Sequence, residues 1–509
     1  MTSTLRTLTV PLDVDSSSGG LPSFLVRDDV LCWSRRENGL VGFGELARFT
    51  ASGPDRFLEA DIWWRHLVIE ADVTDPLELP GTGPVAFGSF AFSKTSDFES
   101  RLILPEIVVG IRDGQSWLTQ LTLDDVELTE AGALATLAGW LSGESAQRES
   151  AAGELTAAGG SGVGHPTSSQ LLSLRGPKTT TSASQLGDGK VTLESGSLSE
   201  AAWKQAVADG VAEIRTGKLE KLVLARDVVA TLPDGVNAAK VLQQLASRYR
   251  ECWTYGVDGL VGATPEMLIQ VEGRTAQARV LAGTLDRRDA EGVDGSPMEY
   301  AERVLAGSEK QRHEHEIAIQ SLTTQLAPFS EAMNAHSEPF ILELPNVWHL
   351  ASDVKAELAD IEGHVPTCLA LINALHPTAA VCGTPTLVAG ELIRELEHMD
   401  RGPYAGRSDG STPRERRVGH RTARRDHRES YHRAPLCGLR DRGRLCSRRR
   451  AGRDLGKIPA DARVAGDQQL SLKPEDSVRN LPSQLSGVRD NSHVGGLDFL
   501  LGRLSNSKT

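Results

Sequence analysis

Apolar residues in "LTEAGALATLAGWLSG" return every three to four positions, the period of a helix with one buried face. Residues 1–142 read as short strands and turns, as in "PVAFGSFAF", that end in this helix, so this part is a folded N-terminal region. A second helical pattern runs through "SLSEAAWKQAVADGVAEIRTG", with Ser199 placed to cap it and Gly217 to end it. A strand is predicted directly after, over "KLVLARDVVATL". "TYGVDGLVGATPEMLIQVEGRTAQARVLAGT" reads as a β-meander punctuated by Gly and Pro. Met298 to about Ala327 has the length and charge pattern of one long helix, and "HVPTCLALINALHPTAAVCGTP" reads as helix, turn and buried strand. The fold class is α+β.

Between these patterned regions, residues 143–190 are rich in Gly, Ser, Thr and Ala and too poor in apolar residues to order themselves; they read as a surface loop or linker. Residues 191–406 then form the second patterned region. The chain has 509 residues, 39% of them hydrophobic, enough for one large core or two ordinary ones.

A formal charge of -13 argues against whole-surface attraction to nucleic acid or anionic lipid. No apolar signal core opens the chain and no apolar run reaches about 18 residues, so neither a membrane span nor export is expected. Six scattered cysteines without a CxxC pair fit a reducing compartment, and a cytoplasmic setting follows.

Taken singly, the polar residues of the patterned regions carry little chemistry. Lys221 opens an apolar strand, where a lysine is most often a solvated edge residue. Glu266 follows a Pro turn, the usual place for an exposed carboxylate. In "SEKQRHEHEIAI", Lys310 and Glu314 share a helix face, which allows either an intrahelical ion pair or a carboxylate offered to a hard cation such as Mg²⁺. His313 and His315 are two apart and diverge on a helix, which argues against zinc. No GxGxxG, Walker loop or GxSxG occurs.

In series, "KLVLARD", "GATPEML", "LAGT", "SEKQRHEH", "LPNVWHLASDV", "LHPTAAVCGTP" and "DRGPYAG" resemble the chorismate-binding enzymes, in particular their isochorismate synthases. The resemblance covers about residues 197–406, with "AFGSFAF" as an echo in the N-terminal part. It implies an anthranilate synthase component I-like fold, a large mixed or antiparallel sheet core flanked by helices. It also implies a Mg²⁺-dependent conversion of chorismate to isochorismate, in which water enters at one ring carbon as the hydroxyl leaves another.

By motif position Lys221 matches the base that activates water, Glu266 the acid that protonates the departing hydroxyl, and Glu314 a magnesium ligand. Gly283, Thr284, His349, Tyr404 and Gly406 match positions lining the substrate pocket. The chemistry requires the lysine pKa to fall and that of Glu266 to rise. The resemblance further implies chorismate as the only partner, with no glutaminase subunit, nucleic acid or membrane.

After Gly406 the composition changes, and arginine becomes roughly a third of the residues for some forty positions from Arg407 onward. Family segments resembling "PVGW", "EWGIALR" and "RLYAGCGIVADS...AELAET" are expected here and are not visible. They reappear when the frame is shifted. Codons for "PVGW" read one base in give "RSDG", which is Arg407 to Gly410; codons for "EWGIAL" read two bases in give Val418 to Ala423. Codons for "RLYAGCGIVADS" give "PLCGLRDRGRL", Pro435 to Leu445. Residues 407–509 are therefore expected to be an out-of-frame, disordered basic tail, which leaves the catalytic domain without its closing strands, a binding arginine and a metal ligand. Such a chain is expected to fold poorly and to turn over little or no chorismate. A basic tail that binds nucleic acid is the alternative, weakened by the lack of interleaved aromatics.

Three further alternatives remain. Ammonia-using synthases typically carry threonine where Ala380 stands in "AVCG", so this chain resembles the water-using branch. Salicylate synthase makes the same isochorismate before eliminating pyruvate. A chorismate-binding remnant without catalysis would bind without turnover. Whether the product serves menaquinone or a siderophore is open at this stage.

Overall fold

A computed structural model describes residues 4–14, 19–142, 192–231, 237–334, 338–361, 363–405, 408–411 and 502–503. The segment expected to be a linker lies outside the described residues, as does Gly406. Of the expected tail, the described residues are Ser408–Ser411, paired antiparallel with Ala86–Ser89, and Gly502–Arg503, paired with Leu260 and Val261.

The described strands build three larger sheets. One has nine strands and takes its members both from the first 122 residues and from Trp253–Val257 and Leu260–Thr264. A five-stranded sheet holds Met267–Glu272, Thr275–Asp286, Val347–Leu358, Ser330–Asn334 and Phe340–Glu343. The third contains Ala47–Ala51, Ala86–Ser89, Ser100–Leu104 and Ser408–Ser411. Apart from a parallel pair between Arg6–Pro11 and Asp72–Thr74, the ladders are antiparallel. One core joins the sheets: Phe87, Phe90 and Trp117 belong to the same buried cluster as Ile269, Leu322 and Leu371.

The expected helices over Glu130–Ser142 and Glu200–Arg215 are present, and Ser199 Oγ accepts the Ala202 amide at 3.2 Å as its capping role requires. The expected meander is split between sheets. The chain leaves the nine-stranded sheet at Thr264 and enters the five-stranded one at Met267, so Pro265 and Glu266 form the corner between them.

The single long helix expected from Met298 is broken. Pro297–Ala301 and a π-turn at Glu302–Ala306 end at Gly307, and Ser308 caps a new helix, Glu309–Leu326, by accepting the Gln311 amide. Glycine's low helix propensity and a local serine cap together outcompete continuation.

The single strand expected over 221–232 also divides. Lys221–Leu222 pairs with Gly383–Thr384, whereas Val228–Thr231 pairs with Thr192–Ser195. Between them the backbone turns to side-chain partners. The Ala225 amide donates to Glu397 Oε1 at 2.6 Å, and the Val223 carbonyl accepts from Arg401 Nη2 at 2.8 Å. The described cysteines Cys32, Cys252, Cys368 and Cys382 are free and buried.

Candidate active site

Lys221 leaves its two-residue ladder half-buried, and its charge is felt by two carboxylates, Glu314 and Glu266. Burial dominates: it pushes the ammonium below the ordinary 10.5, and the two carboxylates oppose that shift without cancelling it. Three residues more than forty positions apart thus lie within electrostatic reach at Lys221. Glu266 is delivered by the corner between sheets and Glu314 by the helix Glu309–Leu326. All three are half-buried.

Glu266 also lines a small pocket whose wall includes Arg279, Leu322, Thr378 and Ala380. Thr378 and Ala380 come from "HPTAAVCG", so this loop faces the carboxylate across a mostly apolar space.

Beside it, the strand Thr275–Asp286 contains a bulge. Leu281 pairs with Ala351 and Thr284 with His349, so Ala282 and Gly283 together stand opposite Leu350. Gly283 has φ +91°, and a Cβ there would lie 2.8 Å from Gln311 Oε1, which accounts for glycine. Thr284 Oγ1 and His349 Nδ1 are 2.9 Å apart, and the Gly283 backbone also hydrogen-bonds the His349 ring. Burial pushes His349 down to about 4, so the ring is neutral at ordinary pH.

Tyr404 lies in a turn closed by its amide to the Arg401 carbonyl at 2.9 Å, close enough to Tyr255 to raise that phenol's pKa after burial has done so. Arg401 anchors the turn. It pairs with Glu397 at 2.5 Å and donates to the carbonyls of Val381 and Val223, and both charges are buried. Tyr404 is thereby tied to the strand end that carries Lys221.

The structure therefore brings Lys221, Glu266 and Glu314 together, and separately Gly283, Thr284 and His349. Lys310 and His313 are exposed, whereas His315 is buried, the divergence expected for histidines two apart. Sequence reasoning missed Glu397 and Arg401; their four-residue spacing is a signal, yet it is shared by every surface ion pair on a helix. It also gave no role to His315 or Ser352.

Among the described residues no group of three or more His, Cys, Asp or Glu could hold a metal ion. Mg²⁺ commonly takes one or two carboxylates and completes its shell with water and substrate oxygens. The half-buried Glu314 is a carboxylate of the kind such a shell takes, and no described cluster would form an all-protein cage. No described helix is long and apolar enough to cross a membrane.

A half-buried lysine with a lowered pKa near two carboxylates is an arrangement suited to acid–base chemistry. The chorismate binding enzyme family matches residues 25–408, and the chain belongs to it.

Similar proteins include isochorismate synthase DhbC of Bacillus subtilis, 34% identical over 217 residues, covering 40% of this chain and 52% of that protein. The salicylate biosynthesis isochorismate synthase of Pseudomonas aeruginosa is 35% identical over 207 residues, covering 40% and 42%. Isochorismate synthase EntC of Escherichia coli is 32% identical over 209 residues, covering 40% and 51%. The chain spans about half the length of these curated relatives.

Two solved structures share the fold. The menaquinone-specific isochorismate synthase MenF of Escherichia coli has a TM-score of 0.56 at 18% identity, over 80% of this chain and 82% of that one. A 2,3-dihydroxybenzoate-specific isochorismate synthase, DhbC of Bacillus anthracis, has a TM-score of 0.50 at 21% identity, over 74% and 81%. The expected α+β architecture and family are both found.

Proposed function

We propose that this chain acts on chorismate as an isochorismate synthase, with Lys221 as base and Glu266 as acid. The observation that carries this reading is the half-buried Lys221, pushed below its ordinary pKa by burial within electrostatic reach of Glu266 and Glu314. A lysine at 10.5 is almost wholly protonated near pH 7, and each step downward enlarges the neutral fraction that can accept a proton. Neutral Lys221 Nζ takes a proton from water as the water oxygen bonds to the ring. The ring double bonds shift, the carbon–oxygen bond of the departing hydroxyl breaks, and Glu266 gives that oxygen its proton. One water enters and one leaves, so the net change is an isomerisation.

Glu314 would hold Mg²⁺, whose positive charge would bind and orient the substrate carboxylate. Gly283, Thr284, His349, Tyr404 and Gly406 would line the pocket. Similarity to isochorismate synthases supports water chemistry, and Ala380 beside Glu266 is consistent with it.

We further infer that turnover by this chain is slow. The family match stops at residue 408, where the arginine-rich sequence begins, and the segments expected to supply a substrate-binding arginine and further metal ligands are not legible beyond it. The test is chromatography of the products after the purified chain meets chorismate and Mg²⁺ at high protein concentration. Isochorismate alone, lost in Lys221→Ala, supports the reading. Salicylate with pyruvate, or an aminated product, refutes it, and a normal turnover rate would overturn the inference of slow turnover.

A further inference from the structure

At the bulge Ala282 and Gly283 stand opposite one residue, an arrangement that disrupts the ladder locally and calls for another partner for a buried carbonyl. Here it has one. His315, buried at 1% exposure, places Nδ1 3.2 Å from the Ala282 carbonyl and Nε2 2.9 Å from Ser352 Oγ. A carbonyl can only accept, so Nδ1 must carry the proton, and in a neutral ring Nε2 must then accept from the Ser352 hydroxyl.

His315 therefore ties three elements at one point: the bulged strand at Ala282, the neighbouring strand at Ser352, and its own helix Glu309–Leu326. Each tie leads to a residue of the candidate site. Ala282 precedes Gly283 and Thr284; Ser352 lies three residues beyond His349; Glu314 is the residue before His315 itself. A ring that slips out of this position frees the bulge to re-register and lets the Glu314 turn of the helix move away from Lys221.

We propose that His315 is a positioning residue for the chorismate site: its Nδ1–H···O=C bond to Ala282 holds the bulge in register and Glu314 in place. The proposal rests on the functional reading given above and deepens it. In this role His315 acts through the backbone it fixes and not on substrate.

Two measurements on the full chain test it. Histidine is labelled with ¹⁵N, and the resonance that vanishes in His315→Asn identifies His315. The proposal expects the Nδ1-protonated tautomer, and the ordinary Nε2-protonated pattern would overturn it. Chorismate affinity is then compared by calorimetry in three variants. In His315→Asn the side-chain amide reaches the Nδ1 position and restores most of the affinity. His315→Gln, which reaches only the Nε2 position, and His315→Phe each lose about ten-fold, the worth of one hydrogen bond. Equal losses in the Asn, Gln and Phe variants, with all three folded, contradict the proposal. If the unsubstituted chain binds no chorismate, the functional reading fails, while the tautomer measurement still decides the role of His315.

Discussion

Lys221 lies directly opposite Thr384 in a two-residue antiparallel ladder, with Leu222 opposite Gly383. So short a ladder fixes a backbone only if its neighbours close in on it, and Gly383 does: its φ is +147°, and a Cβ there would stand 2.3 Å from the Lys221 carbonyl oxygen. Gly383→Ala is expected to cost on the order of 1–3 kcal/mol, as side chains forced into glycine-only backbone do, and to displace Lys221. Denaturant melts of the two proteins check the first effect, and lysine acetylation kinetics at Lys221 the second. A variant indistinguishable in both would show that the ladder does not set the lysine.

Lys221 itself should be a stability cost. Its folded pKa lies below 10.5, so between the two values the unfolded chain binds more protons, and stability rises with pH across that window. Lys221→Met, similar in shape and uncharged, should be more stable than the parent at pH 7, with the gain fading toward pH 10.5. Its turnover should fall by on the order of 100 to 10,000-fold, the usual worth of a general base. A variant less stable at neutral pH would mean that the carboxylates outweigh burial.

Removing one partner of the Glu397–Arg401 pair strands a buried charge. Glu397→Gln or Arg401→Met should each cost about 3–5 kcal/mol, and the double variant less than the sum. A double-mutant cycle by urea unfolding reads this directly, and additive losses would mean that the two side chains act separately.

Acid sensitivity should trace partly to His349. Its folded value of about 4 lies below the ordinary 6.5, so the unfolded ring binds a proton that the folded ring refuses. Stability is therefore lost as pH falls from about 6.5 toward 4, and His349→Asn should flatten that part of the profile. Urea midpoints measured across this range give the answer; an unchanged slope would exclude His349 as a cause.

Much of this was legible where the cause is local. Ser199 and Ser308 cap helices because a serine hydroxyl reaches an amide three residues on, and residue order alone decides that. The position of Ser308 nevertheless went unread, since the charged run on either side of it kept the helical period. The division of 221–232 was not legible at all, because it depends on Glu397 and Arg401 arriving from 170 residues away to take the backbone groups of Ala225 and Val223. Lys221, Glu266 and Glu314 were found only as members of a familiar series. Each alone reads as an ordinary surface charge, and what makes them a site is that a corner between sheets and a helix converge on one strand end.

The DNA across codons 400–465 offers an independent check on the region after Gly406. Read in a shifted frame it should encode "PVGW", "EWGIAL" and "RLYAGCGIVADS". Codons that do not give these segments would leave the arginine-rich sequence as a tail in its own right.

The central claim is that Lys221 is a depressed-pKa base inside a chorismate site, and it can be tested without turnover. Acetylation of the full chain is followed by mass spectrometry as a function of pH, with and without saturating chorismate. Lys221 should titrate below 10.5 and be protected by chorismate. A Lys221 that titrates like an exposed lysine and reacts equally fast with chorismate present would contradict the account.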